Sequence, residues 1–197
     1  MDLVTAYRRS LAGFVERVAR VRPDQWSEPT PCVDWDVRTL VNHLVNEDLW
    51  TPPLVEGQTI AQVGDRFDGD LLGADPAASA AQAARQAEDA VTAPGALART
   101  VHLSFGDAPA REYVYQLLAD HLVHSWDLAA ATGSDPRLDD GAVGVCADWF
   151  ADREDVYRGA GVIADRVPVP ETASTQDRLI AAFGRDPAWR PPAGQAP

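Results

Sequence analysis

The stretch that most constrains this chain runs from Asp107 to Gly133 and reads as one long helix with polar residues inside its apolar stripe. Asp107 and Pro109 supply a start, and Gly133 supplies a stop where a left-handed residue can close the helix. At about 1.5 Å per residue the helix spans roughly 30 Å, the width of a small domain. On a helical wheel Asp120, His124 and Asp127 fall on the face of Tyr113, Leu117 and Ala131, while Leu118, Leu122 and Val123 cover the other sides. A helix that is apolar nearly all round belongs in the middle of a bundle. A carboxylate and an imidazole buried there must find partners, because an unpaired polar group is costly to take out of water.

Asp120 and His124 stand four residues apart, one turn above each other. A hydrogen-bonded pair with its polar ends at a wet edge would satisfy them. So would a divalent metal, since neutral imidazole and carboxylate are both ligands and helical spacing aims them at one point. Spacing alone does not separate the two readings; a third ligand elsewhere in the chain would favour the metal.

A second helix offers that candidate. Asp36 is a good N-cap, Val37, Leu40, Val41 and Leu44 form the buried stripe, and the helix is expected to end near Trp50, before Pro52 and Pro53. His43 and Glu47 lie one turn apart on the shoulder of that stripe, a position that suits a side chain reaching into a cleft. The plainer reading is a half-exposed His43 hydrogen-bonded to Glu47.

The remaining sequence is helical with breaks. Leu3, Tyr7, Leu11, Phe14 and Val18 mark an amphipathic first helix from Asp2 to about Arg20. RPDQWSEPTPCVDWD is a turn-rich connection whose aromatics cap the core. Thr51 to Ala74 reads as a long loop with a short helical turn. Asp75 and Pro76 open an alanine-rich third helix that stops at Pro94 and Gly95. Its small side chains suit internal packing or a dimer interface, so monomer and homodimer both stay open. Leu97 to Phe105 alternates as a short extended segment, with His102 on its polar side. One helix is expected from about Gly141 to Tyr157, then extended GVIADRVPVP, then a last short helix capped by Ser174 and Asp177 and stopped by Gly184. The tail RDPAWRPPAGQAP is expected to be mobile at its end. The whole reads as one domain over residues 1–197, with a short C-terminal extension from about residue 162.

Thirty acidic against seventeen basic residues give a net charge of −13, which argues against nucleic acid or an anionic membrane as partner. The N-terminal stretch has no signal-peptide core, and no apolar run approaches the eighteen or so residues of a membrane span, so a cytoplasmic location is expected. Cys32 and Cys146 make no disulfide framework and match no metal or redox spacing; buried free thiols are expected. Cys32 lies in a proline-bounded turn beside Trp35, where packing explains it at least as well as nucleophilic chemistry.

Three stretches carry a family resemblance. PCVDWDVRTLVNHLV resembles a segment of the mycothiol-dependent maleylpyruvate isomerase N-terminal domain, within the DinB-like metalloprotein superfamily. DHLVHSWDLAAATG resembles that family's second signature, a carboxylate four residues before a histidine followed by WDLA and a glycine. VPVPETASTQDRLIAAFGRDPAW is similar to the tail of an uncharacterised actinobacterial metal-binding branch. The resemblance implies an all-α, up-down-down-up four-helix bundle with short extended segments, extra C-terminal helices and a divalent metal at one end of the core. It implies His43, Asp120 and His124 as ligands, where the isomerase has Glu at the position of Asp120, and Glu47, His121 or Asp127 as residues supporting them. Zinc is the first expectation on ligand type, with nickel or iron(II) next. The implied function is a metal-dependent thiol transferase or isomerase that holds a low-molecular-weight thiol, of the mycothiol type, for attack on a small electrophile. A non-catalytic ligand- or metal-binding protein of the same fold is the competing expectation.

Overall fold

The computed structural model describes residues 1–192; the last part of the tail, residues 193–197, lies outside the described residues. Four long helices dominate it: α1 (Leu3–Val18), α2 (Val37–Val55), α4 (Pro76–Thr92) and α5 (Ala110–Thr132). A single turn, α3 (Ile60–Val63), interrupts the loop after α2, and a hairpin of β1 (Thr100–Leu103) and β2 (Gly106–Pro109) precedes α5. The chain then forms α6 (Asp140–Phe150), α7 (Glu154–Gly159) and α8 (Thr175–Ala182). Aspartates cap three of the long helices, Asp2, Asp36 and Asp75 each accepting an N–H in the first turn. Gly133 closes α5 with φ of 66°.

The core divides into two ends, and their membership gives the helix directions. Leu3 and Tyr7 of α1, Leu54 of α2, Val91 of α4 and Tyr113 of α5 meet at one end. Phe14 and Val18, Val37 and Leu40, Ala80 and Ala83, and Leu128 and Ala131 meet at the other. Helices α1 and α5 therefore run one way and α2 and α4 the other, the up-down-down-up order. α4 can run parallel to α2 because the long connection after α2 carries the chain back. Helix α5 is buried nearly all round, as its composition requires.

Three local expectations change. Helix α2 continues through Pro52 and Pro53, whose carbonyls accept from Glu56 and Gln58 at 3.0 and 2.9 Å. The donors that the prolines lack are offset by burial of Pro53, Leu54 and Val55. Asp107 does not start α5; it belongs to β2, where its carboxylate lies 2.6 Å from His102 Nδ1, and Pro109 is the N-cap. The expected helix from Gly141 to Tyr157 breaks at residues 151–153, where Arg153 turns back to Glu112 of α5 at 2.7 Å and to the Trp149 carbonyl at 2.8 Å. Ala80, Ala83, Ala84 and Ala87 of α4 pack internally, while Ala78 faces outward. Among the described residues no helix is long and apolar enough to cross a membrane.

Deep between α2 and α5, Asp48 and His121 face each other with neither side chain exposed, Asp48 Oδ1 lying 3.2 Å from His121 Nε2. The alignment is too poor for a hydrogen bond, so their attraction is chiefly that of a buried ion pair. Burial works against the His121 imidazolium, but the Asp48 charge and the Leu117 carbonyl bonded to Nδ1 outweigh it and raise its pKa. Replacing Asp48 by Ala strands that charge and is expected to cost about 3–5 kcal/mol. Because the folded pKa is raised, the stabilisation is complete below the unfolded value near 6.5 and fades as pH rises through the folded one. Urea denaturation from about pH 6 to about pH 9 should therefore show the Asp48→Ala deficit shrinking toward alkaline pH.

Candidate metal site

Middle turns of α2 and α5 meet along a lateral seam of the bundle, and three polar side chains converge there. His43 Nε2 lies 3.0 Å from Asp120 Oδ2, and His124 Nε2 lies 3.2 Å from Asp120 Oδ1. One atom from each of the three residues lies within 4.8 Å of the others. His43 thus partners Asp120 and not Glu47. The cluster sits partway along both helices and not at the end of the core.

His124 is held from its other side as well. Its Nδ1 lies 2.9 Å from Asp127 Oδ2, so a ring protonated there donates to Asp127 and turns its Nε2 lone pair toward the cluster. Arg185, from the segment after α8, reaches the same Asp127 oxygen at 3.1 Å and places Nη2 2.8 Å from Cys32 Sγ. Cys32 in turn lies 3.3 Å from Asp127 and 3.7 Å from His124 Nδ1. The turn that carries Cys32 is closed by the Trp35 N–H on the Cys32 carbonyl, with Asp34 at φ of 66° making the reversal. It also lays the Trp35 indole against both imidazoles, 4.9 Å from His43 and 5.6 Å from His124 between ring centres.

Burial alone would raise the Asp120 pKa, yet the two imidazoles outweigh it and hold the carboxyl well below the usual range. The same pairing works in reverse on His124: burial lowers its pKa, and Asp120 and Asp127 carry it well above the ordinary value. Asp127 is kept ionised against burial by His124 and Arg185. Glu47, which lines the same cavity as His43, is pushed up to about 7, first by burial and then by the Asp120 charge.

The donor set suits a divalent cation. One ligand atom from each of His43, Asp120 and His124 lies within 4.8 Å of the others, near enough for a single ion to reach all three. Cys32, His124 and Asp127 also lie near enough to share an ion. The Arg185 guanidinium already occupies the Cys32 and Asp127 side, so a second cation would meet a fixed positive charge.

Residues 7–129 match the family model for the mycothiol maleylpyruvate isomerase N-terminal domain. The chain belongs to this family. Two uncharacterised proteins of Mycobacterium tuberculosis, from strains CDC 1551 and H37Rv, are each 35% identical to it over 191 residues, covering 94% of this chain and 98% of theirs. No solved structure matches significantly. The mostly helical architecture agrees with the DinB-like fold, whose families bind divalent metals.

The family match ends before Arg185, and sequence reasoning missed that residue altogether; its only local signal is a position just after the Gly184 helix stop. Cys32 contributes more than packing, since it touches three polar groups of the cluster. Of the expected supporting residues, Asp127 holds a site imidazole and Glu47 shares the cavity, but His121 points the other way, into the core between Tyr7 and Phe14. In metal-free protein the His124 ring is expected to titrate well above pH 6.5 by NMR. Asp120→Asn should bring that midpoint down toward the ordinary imidazole value, because the largest opposing charge is gone.

Proposed function

We propose that this protein is a metal-dependent thiol transferase or isomerase, in which a divalent cation held by His43, Asp120 and His124 binds a low-molecular-weight thiol of the mycothiol type for attack on a small electrophile. The observation that carries this reading is the convergence of two imidazoles and one carboxylate, from helices far apart in sequence, on the wall of an open cavity of about 680 Å³. Three protein ligands leave coordination positions free, the arrangement of a catalytic and not a closed structural site. When bound, the cation supplies Lewis acidity and lowers the pKa of a coordinated thiol toward neutrality.

The chain's own residues provide the rest. Asp127 fixes the tautomer and direction of His124, and Arg185 keeps Asp127 ionised in turn. Glu47, poised near neutrality on the cavity wall, can take up a proton from the incoming thiol and return it to the product. The isomerase has Glu at the position of Asp120, which is one methylene shorter and would hold the cation as one of its three ligands. On donor type zinc fits best, with nickel or iron(II) next. No protein nucleophile is required.

The test is elemental analysis of tag-free protein purified without chelator. About one equivalent of metal is expected in the parent, and its loss in both His43→Ala and His124→Ala without loss of helical circular dichroism. Asp127→Asn should retain the fold but weaken zinc binding by about 10–100-fold. Zinc uptake should also release protons, because His124 is held protonated in the metal-free form, and calorimetry in buffers of different ionisation enthalpy reads that release. A parent that is metal-free and takes up no added zinc would overturn the proposal.

A further inference from the structure

The cavity beside the cluster carries information about the molecule it admits. Its volume of about 680 Å³ is that of a site for a drug-sized ligand. Besides His43, Asp120 and His124, its wall includes Trp149, Tyr157, Ile163 and Phe183. Its margin holds Phe105, Val156 and Val162, which are 69%, 69% and 65% exposed. Among the described residues these are three of the six large hydrophobic side chains left exposed, the others being Met1, Val33 and Ile60. Apolar residues gathered at the margin of one apolar cavity mark a place where an apolar molecule leaves water.

Charge on the wall narrows the choice. Both of its arginines are already paired, Arg153 with Glu112 at 2.7 Å and Arg185 with Asp127 at 3.1 Å. Its remaining carboxylates are Glu47 and Asp120. A divalent cation on two neutral imidazoles and one carboxylate leaves a formal charge of about +1, enough for one anionic group. A second negative charge on the same ligand would find no free cation on this wall.

We infer that the cavity selects a small molecule with an apolar alkyl or aryl body and no more than one negative charge, and that it disfavours compact dianions. This rests on the proposed function only for the metal end; the apolar body follows from the cavity itself. When a thiolate holds the cation, its one net charge is already neutralised, and the electrophile that the site would present to that thiol is correspondingly the apolar end of this class.

The probes are butanoate, hexanoate and octanoate, with maleate as the compact dianion, titrated calorimetrically into metal-free and zinc-loaded protein. Affinity is expected to rise about fourfold per methylene in both forms, the increment for moving a methylene from water to an apolar wall. Octanoate should bind more tightly than maleate even in the zinc-loaded form. Phe105→Ser combined with Val162→Ser changes only exposed side chains and should flatten the dependence on chain length without altering zinc content. A flat series in the parent, or maleate binding more tightly than octanoate, would overturn the inference. If no zinc binds but the metal-free slope persists, the cavity inference stands and the metal reading fails. If zinc binds and the slope is absent, the reverse holds.

Discussion

Asp127 has no exposed surface, and an ion held there must be neutralised inside the protein. Two groups do this from different distances along the chain. His124, three residues earlier on the same helix, approaches to 2.9 Å, and Arg185, from beyond α8, approaches to 3.1 Å. The first contact aims the imidazole at Asp120 and His43. The second ties the C-terminal segment to the centre of the bundle, and with it comes Phe183, two residues earlier, which forms part of the cavity wall. The orientation of the cluster and part of the cavity wall therefore depend on one buried carboxylate.

Much of the frame follows from periodicity. Helices α1, α2 and α4 each carry a clear apolar spacing and a recognisable start, and α5 is so apolar nearly all round that only a central position suits it. Asp120 and His124 could be picked out because polar residues in an apolar stripe need partners. Tying His43 to them took a family resemblance, since nothing in the spacing of α2 alone prefers Asp120 over Glu47. Arg185 lay beyond both kinds of reasoning. All seventeen basic residues are arginines, and a buried carboxylate calls for a cation without saying which one.

Where the expectations changed, a tertiary contact outweighed a local signal. Proline argues against a helix because a donor is lost, but in α2 the last turn buries Pro53, Leu54 and Val55, and that gain offsets the loss. Asp107 has the chemistry of an N-cap and is used instead to pair His102 across a hairpin, where Gly106 at φ of 125° supplies the reversal. Arg153 would continue a helix, yet its bonds to Glu112 and to the Trp149 carbonyl favour a break. That break redirects α7 so that Val156 and Tyr157 face the cavity.

His121 and His124 show why spacing alone cannot assign a site. Both lie on α5, and both meet a carboxylate at 3.2 Å through Nε2, His121 with Asp48 and His124 with Asp120. Three residues of helix separate them, a net offset of about 60° around the axis, and on a helix packed nearly all round that is enough to put one ring in the core while the other reaches the cavity. Asp48 and His121 have no exposed surface, so any third partner would have to displace the packing around them. Asp120 and His43 keep 31% and 29% of their side-chain surface, so a ligand can approach their cluster from the cavity. The same pair of residue types is thus a structural ion pair where it is sealed and a candidate metal site where one side stays open. Access, set by the packing of α2, α5 and the C-terminal segment, decides between the two chemistries.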